Sequence, residues 1–436
     1  MSDLKKGEKI PLEIGATVEV LEEIGRGGQG AVYKALFQGK QYALKWYMAH
    51  KLKNRDKFRD NLRQNIYDGP PSDNYLWPAQ LTKEYQGNFG YLMAIRPSAF
   101  VDFSDILNNK KKFSSMHFAI LSALNIVNSF RELHRKGKSY QDLNDGNFFV
   151  NTETGDVLIC DNDNIAPDKV NLGMGGKPGY MAPEVMRGEA RPDTLTDQHS
   201  LAVVLFKLFM RHDPLMGKAY VSSVCITEEA EKRLYGDNPV FIFDPDDQSN
   251  SPVPGVHPNP IKLWPYYPQY IQDAFIKSFS QGMKKPASRL TDNEWQNILI
   301  RLRGEILTCQ CGYENFASSI KKHLHNNTFQ CPRCKSQCSY PMALTVKNTP
   351  VFLFPGNKLY KCHTERDSDD YTTEQGNVVQ NKNNRGIWGI KNLSDVSWRY
   401  SVDDSDKAIP PGGVAIVQDG SKIEFNQLSG TITKVM

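Results

Sequence analysis

Three groups suited to phosphoryl transfer follow one another in the middle of the chain. Asp142 and Asn147 have Asp-x4-Asn spacing in Asp142-Leu-Asn-Asp-Gly-Asn147, and Asp161 comes fourteen residues later in Ile-Cys-Asp-Asn-Asp. A carboxylate placed to take a hydroxyl proton, with an amide oxygen and a second carboxylate to grip a divalent cation, supplies what in-line transfer from a nucleotide requires. Upstream, Gly25-Arg-Gly27-Gly-Gln-Gly30 matches GxGxxG. In a dinucleotide-binding unit a helix would follow, with an acid about twenty residues on. Here a second strand, a hairpin turn and a third strand follow, and the third carries Lys45. Glycines between two antiparallel strands let backbone N–H groups approach phosphates without a side-chain clash, and Lys45 would reach the α/β-phosphates. A different chemistry lies further on. Cys309-x-Cys311, nineteen residues, then Cys331-x-x-Cys334 approximates a tetrahedral zinc site of four thiolates, with Cys338, His323 and His325 as substitute ligands. Four protein ligands leave no open position, so this zinc would be structural.

The elements that must position these groups can be read from periodicity. Thr17-Val-Glu-Val-Leu and Ala31-Val-Tyr-Lys-Ala-Leu read as strands, Phe37-Gln-Gly-Lys-Gln as a hairpin turn, and Tyr42-Ala-Leu-Lys-Trp-Tyr as the returning strand. Phe118 to Leu133 has helical spacing, with Ile120, Leu124 and Val127 on one face. From about 345 onward helix signals vanish, and short apolar runs between Gly, Pro, Asn and Asp suggest a small β-sandwich. The expected organisation is an N-terminal extension (1–14), a first domain (15–305), a zinc ribbon (306–342) and a β-sandwich (345–436).

Composition narrows the function classes. The chain has 436 residues, 39% hydrophobic and 23% charged, which argues against disorder, collagen-like repeats and coiled coil. Net charge is 53 − 49 = +4, too balanced to point to nucleic acid or an anionic membrane surface. Met1-Ser-Asp-Leu-Lys-Lys begins no apolar signal core, and the most apolar run, Leu201 to Met210, is ten residues long and contains Lys207. A membrane span needs about twenty, so the expectation is a cytoplasmic protein with no membrane partner. Five of eight cysteines fall within thirty residues, while Cys160, Cys225 and Cys362 stand alone. Such clustering favours metal over disulfide.

In order, the glycine turn, Lys45, the Asp142–Asn147 loop and Asp161 resemble the protein kinase domain over about 260 residues. Ala182-Pro-Glu184 is similar to its Ala-Pro-Glu motif, Asp197 to the buried Asp that anchors the catalytic loop, and Arg289 to the late arginine that pairs with Glu184. The resemblance implies an α+β, bilobal kinase fold, with lobes at about 15–97 and 98–305. It implies a nucleotide held by Gly25, Gly27, Gly30, Val32, Ala43 and Lys45, adenine contacts at Ala94 and Ile95, and a gatekeeper at Met93. Asp142 would accept the substrate hydroxyl proton, and Asn147 and Asp161 would hold Mg²⁺ (or Mn²⁺). ATP and a protein hydroxyl, of Ser or Thr, would be the substrates. A small-molecule kinase is disfavoured, because Glu184, Asp197 and Arg289 resemble a peptide-binding platform.

Departures from the pattern bear on mechanism. Asn162-Asp163 replaces Phe-Gly after Asp161, and the extra carboxylate either adds to metal binding or caps a turn, the turn being favoured. Tyr140-Gln141 replaces His-Arg, so the arginine that would receive an activation-loop phosphate is missing. Between Asp161 and Glu184 there is no Ser or Thr, and the only hydroxyl is on Tyr180, read as a packed residue. Activation-loop phosphorylation is therefore not expected to be required. Asn144 and Lys177 stand where Ser/Thr kinases place Lys and Thr, and Lys177 is a candidate to supply the missing cation. No Glu occurs between Glu23 and Glu84, where the helix partner of Lys45 belongs. Asp56 and Asp60 are the acids on the expected helix, and Asn61 and Gln64 are uncharged substitutes, so Asp60 reaches Lys45 or the lysine is held otherwise. The gap keeps open an alternative, a nucleotide-binding pseudokinase scaffold regulating a partner phosphatase.

Gly69-Pro-Pro-Ser-Asp, Leu76-Trp-Pro, Gly90-Tyr-Leu-Met, Tyr140-Gln-Asp-Leu-Asn-Asp-Gly-Asn-Phe-Phe, Ile159-Cys-Asp-Asn-Asp-Asn and Thr196-Asp-Gln-His-Ser-Leu-Ala-Val are similar to signatures of one bacterial kinase subfamily. That subfamily belongs to a phosphorylation triad associated with tellurite resistance. The resemblance implies a metal-dependent phosphatase and a von Willebrand A protein as partners. In the tail, Ile387-Trp-Gly-Ile, Trp398 and Gln418-Asp-Gly-Ser-Lys-Ile-Glu-Phe resemble the second half of a forkhead-associated domain. Its phosphothreonine-binding Gly-Arg and Ser-x-x-His elements are absent. The tail is expected to bind a partner, and Lys321, Lys322 and Arg333 are expected to form a solvated basic face rather than to bind nucleic acid.

Overall fold

Alternation in Ala31-Val-Tyr-Lys-Ala-Leu-Phe buries Ala31, Tyr33, Ala35 and Phe37 on one face of a strand, the period-two pattern of a half-covered sheet. A computed structural model describes residues 4–173, 176–222, 227–384, 387–403 and 405–434; Cys225 lies outside the described residues. Two compact units emerge. The first holds Met1–Ser114, Leu121–Ile261 and Asp273–Trp295, and the second Ser115–Ile120, Lys262–Gln272 and Gln296–Met436.

The first unit opens with β1 (Lys9–Pro11), β2 (Thr17–Arg26), β3 (Gly30–Phe37), β4 (Lys40–Tyr47), helix α1 (Arg55–Asp68), β5 (Gln80–Leu81) and β6 (Phe89–Met93). The strands form one antiparallel sheet in the order β1-β2-β3-β4-β6-β5. Gln38 (φ 48°) and Gly39 (φ 76°) make the β3–β4 turn. Two successive positive φ values match the right-handed twist of a tight hairpin. Helix α1 sets Phe58 and Leu62 against Tyr47, Phe89 and Tyr91 of the sheet.

A helix-rich part follows: β7 (Val101–Asp102), α2 (Phe103–Leu107), α3 (Met116–Arg135), β8 (Lys138–Tyr140), the hairpin β9 (Phe148–Val150) and β10 (Val157–Ile159), β11 (Ile165–Pro167), α4 (Pro183–Met186) and α5 (Thr194–Met210). Ile120, Leu124 and Val127 of α3 are fully buried, as their spacing predicts. The apolar run 201–210 lies within α5 and is buried throughout apart from Lys207, which is half-buried. No helix among the described residues is long and apolar enough to cross a membrane. In the segment after 217, Gly236 packs on Met186 and accepts a 2.7 Å hydrogen bond from Arg187 Nη1, so this insert rests on the end of α4.

In the second unit two short hairpins come first, β12 (Ile306–Thr308) with β13 (Glu314–Phe316) and β14 (Thr328–Gln330) with β15 (Gln337–Ser339). Then come β16 (Ala343–Val346), β17 (Thr349–Phe352), β18 (Lys358–Tyr360), β19 (Glu374–Gln380), β20 (Trp388–Asn392), β21 (Trp398–Val402), β22 (Ser405–Ile409), β23 (Val414–Ile416), β24 (Lys422–Glu424) and β25 (Ser429–Thr433). They form a six-stranded sheet, β17-β16-β25-β24-β21-β22, and a four-stranded sheet, β18-β19-β20-β23. Leu344 and Ile432 from the first and Val378 and Ile390 from the second share one core with Trp398. One helical turn, Lys361–Thr364, interrupts the strands. It corrects the expectation that helix is absent after 345.

Candidate active site

The glycine turn joins β2 to β3, and its glycines are not equivalent. A Cβ on Gly30 would sit 1.9 Å from the Trp46 carbonyl oxygen, so close packing of β3 on β4 demands glycine there. Around Gly25, Gly27 and Gly28 nothing lies within 4 Å of such a carbon, and none of the three has a positive φ. Neither packing nor backbone conformation requires glycine at these three positions. The open space they leave fits a phosphate-bearing ligand approaching the backbone. Val32, Ala43, Met93 and Ile95 belong to one apolar cluster, with Ala43 paired to Met93 across β4 and β6. Ala94, just past β6, is exposed.

Lys45 projects from β4 and is opposite Tyr91 in register. Its Nζ lies 3.0 Å from Asp161 Oδ1 and 2.9 Å from each oxygen of Asp163. Burial pushes the lysine's pKa down, but Asp161 and Asp163 outweigh it and hold the ammonium well above its ordinary value. Asp163 is completely buried and also accepts from the hydroxyls of Tyr47 and Tyr91. Burial and the neighbouring Asp163 carboxylate push both tyrosines' pKa upward.

These contacts decide how Lys45 is held, by groups other than Asp60, and correct two expectations. Asp60 does not reach Lys45; it pairs with Arg63 of its own helix at 2.7 Å. Helix α1 extends to a third acid, Asp68, which pairs with Lys138 at 2.6 Å. Asp163 caps no turn; its carboxylate receives Lys45 and the two tyrosine hydroxyls. The signal was available as the coincidence of a missing glutamate, an added acid after Asp161, and a tyrosine two residues from Lys45 on the same strand face.

The loop after β8 carries Asp142. Asn144 Nδ2 donates to Asp142 Oδ1 at 3.3 Å. Burial raises the Asp142 pKa to about 6, the Asn144 amide opposes this, and Asp161 adds to it. Asn147 Oδ1 accepts from the Asn144 backbone N–H at 2.8 Å, while Asn144 Oδ1 accepts from Gly146 N–H at 2.9 Å, a reciprocal cap that fixes the loop. Cys160 N–H donates to Asn147 O at 2.9 Å, tying this loop to the residue before Asp161. Tyr140, in place of His, donates its hydroxyl to Cys160 O and to Asp161 O at 3.1 Å. Asp161 itself has φ 55° and ψ 39°, a left-handed conformation that Asp tolerates better than most residues. Asp197 accepts from Tyr140 N–H at 2.6 Å and faces His134 Nε2 at 3.2 Å.

Gln141 takes the place of Arg and fastens the following segment without charge. Its Nε2 donates to Val170 O, and its Oε1 accepts from Leu172 N–H at 3.1 Å. Lys177 Nζ lies 2.6 Å from Asp145 Oδ1, inside the 142–147 loop, rather than on Asp142. Tyr180 is 2% exposed with Lys207 Nζ 3.9 Å from its ring, a packed residue as its place in the sequence predicts. Arg289 grips Glu184 through two bonds of 2.7 and 2.8 Å, both side chains buried.

The cysteines form a separate cluster in the second unit. The Sγ atoms of Cys309, Cys311, Cys331 and Cys334 lie within 4.8 Å of one another, with Cys309–Cys334 at 3.6 Å and Cys311–Cys331 at 3.8 Å. A tetrahedron with Zn–S bonds of about 2.3 Å has edges of about 3.8 Å. The two supporting turns are alike. Gly312 (φ 78°) and Lys335 (φ 64°) each follow the second cysteine in the left-handed region, and their N–H groups bond to the carbonyls of Cys309 and Cys331. Cys338 Sγ stands outside the four, 4.0 Å from Cys309 Sγ.

Residues 18–254 match the family model described as protein kinase domain. The chain is 27% identical over 225 residues to serine/threonine-protein kinase mos of Gallus gallus, covering 46% of this chain and 63% of that one. Over 216 residues it is 25% identical to serine/threonine-protein kinase PknK of Mycobacterium bovis, covering 47% and 18%. A probable LIM domain-containing serine/threonine-protein kinase of Dictyostelium discoideum is 27% identical over 202 residues, covering 44% and 20%. The chain spans less than two thirds of the length of each relative.

Proposed function

The chain belongs to the protein kinase family, and from that premise we propose ATP- and Mg²⁺-dependent transfer of the γ-phosphoryl group to a Ser or Thr hydroxyl of a protein substrate. The observation that carries the reading is the convergence of Lys45 on the Asp161 segment, with the loop of Asp142 and Asn147 bonded to that segment through Cys160. Lys45 would hold the nucleotide's phosphates under the open turn of Gly25 and Gly27, with Val32, Ala43, Met93, Ala94 and Ile95 around the base. Asn147 and Asp161 would hold Mg²⁺, which neutralises phosphate charge as it is transferred. Asp142 would orient and deprotonate the hydroxyl. Lys177, already bonded to Asp145 of that loop, would contribute a cation to the phosphoryl group; turnover unchanged in Lys177→Ala excludes this.

Gln141 supports activity without phosphorylation of the segment 165–184, because its two main-chain bonds replace what an arginine–phosphate pair would provide. The further assignments are a kinase domain over 15–305, a zinc ribbon over 306–342 with Zn²⁺ on Cys309, Cys311, Cys331 and Cys334, and a forkhead-associated-like β-sandwich over 345–436 that binds a partner. The resemblance to the tellurite-resistance triad makes a metal-dependent phosphatase and a von Willebrand A protein the candidate partners.

The test is γ-phosphate transfer from labelled ATP with Mg²⁺ or Mn²⁺, to the chain itself and to a generic protein, in wild type, Asp161→Asn and Asp142→Asn. Loss of transfer in Asp161→Asn, and a fall of about 10²–10⁴ in turnover in Asp142→Asn, are expected. ATP binding without transfer in the wild type overturns the reading in favour of a scaffold.

A further inference from the structure

We propose that Asp163 is the positioning residue for Lys45, in the part a glutamate on α1 would otherwise take. This rests on the kinase reading and concerns how its lysine is held. Asp163 has 0% exposure and receives Lys45 at 2.9 Å on each oxygen, Tyr47 on Oδ2, and Tyr91 on Oδ1 at 3.3 Å. The Asp161 side chain is 44% exposed and contacts the lysine through one oxygen. A carboxylate enclosed by three donors cannot turn toward a cation in the cleft without leaving two hydroxyls and an ammonium unpaired in a buried site. The half-exposed one can. The two acids therefore divide the work: Asp161 is free for metal, and Asp163 stays with Lys45 when Asp161 leaves it.

Helix α1 has given up the task. Asp60 and Asp68 are engaged by Arg63 and Lys138, and Asp56 is exposed. The amides of Asn61 and Asn65 both donate to Ile165 O, at 2.7 and 2.9 Å. The helix thus anchors the segment that carries Asp161 and Asp163 instead of reaching over it to the lysine. Lysine and metal ligand are set by one short stretch, 161–165, so no swing of α1 is needed to assemble them.

Four full-length proteins test this: wild type, Asp163→Asn, Lys45→Met and the double variant. Rates are measured against MgATP at saturating free Mg²⁺ and against free Mg²⁺ at saturating ATP, and ATP affinity by calorimetry. Asp163→Asn is expected to lower kcat/KM for MgATP about 10²-fold, as loss of a preorganised charge does, and to leave the Mg²⁺ requirement in place. Added to Lys45→Met, it should change kcat/KM by no more than about two-fold. A full multiplicative loss in the double variant overturns the proposal, as does a raised Mg²⁺ requirement, which would make Asp163 a metal ligand. Should Asp163→Asn fail to fold, the double variant, which removes the stranded ammonium, must regain the wild-type melting transition; continued unfolding overturns the proposal. If the wild type transfers no phosphate, the kinase reading fails by itself. ATP affinities of the same four proteins then decide, with additive losses counting against Asp163.

Discussion

At the scale of single residues, the glycine turn separates two physical causes that one motif conceals. GxGxxG in the sequence marks a place where side chains are excluded, but does not say by what. The structure divides the set: a side chain is excluded at Gly30 by the Trp46 carbonyl, and at Gly25 and Gly27 by nothing in the protein. Gly30→Ala should therefore cost about 1–3 kcal/mol by overpacking and lower the melting temperature with or without nucleotide. Gly27→Ala should leave melting of the free chain within error and raise KM for ATP. Equal melting of the two variants would show that the turn's glycines share one role. Lys45, Asp142, Asn147 and Asp161 could be nominated from the sequence because the chemistry proposed for them depends on type and spacing. For Asp163 the sequence carried the hints of a missing glutamate, an added acid and Tyr47, but not its burial or the approach of Tyr91, which the β4–β6 register brings opposite Lys45.

Among elements, legibility follows length. The strands from 17 to 47 and helix α3 repeat their pattern over enough residues to be read, whereas β1 and the turn 361–364 span three and four residues and carry no period. The resemblance led to Asp197 as the anchor of the Asp142 loop, but not to the histidine that joins it to α3. His134 near the end of α3 lies between Asp197 of α5 at 3.2 Å and Asp292 at 2.7 Å, and Asp197 also holds the Tyr140 N–H. Burial lowers the His134 pKa, but the two carboxylates reverse this and raise it to about 10. An unfolded histidine titrates near about 6.5. Between those values the native chain holds a proton the unfolded chain lacks. The stabilisation is complete below about 6.5 and is lost as pH rises toward 10. Asp197, raised to about 6 by burial, acts at lower pH, between its ordinary range and 6. The urea midpoint should fall from pH 7 to 10, and His134→Gln should flatten that slope. An unchanged slope would detach the imidazolium from stability.

For the whole molecule, the second unit raises a question of size. The hairpins of 306–342 contribute Leu307, Ala317, Ile320, Phe329 and Tyr340 to a buried cluster, with Leu324 and Cys338 packed against it and Ala343 and Phe352 from the neighbouring sheet. That is a small core for two hairpins whose strands are three residues long, and a cross-link would add to their order. No disulfide fills that role, since all four cysteines are free. Sulfur spacings near a tetrahedral edge and two matching left-handed turns fit a metal, which would tie the hairpins together and turn binding energy into folding energy. The purified chain should hold about one zinc per molecule. Chelation should expose Cys309, Cys311, Cys331 and Cys334 to a thiol reagent and raise amide exchange across 306–342, while exchange of the Lys45–Asp161 site is unaffected at the same chelator concentration. Cys331→Ser should reproduce the change without chelator. Four thiols already reactive in the untreated protein, with no bound metal, would reduce the cluster to an accident of spacing and leave the order of the two hairpins to their strands alone.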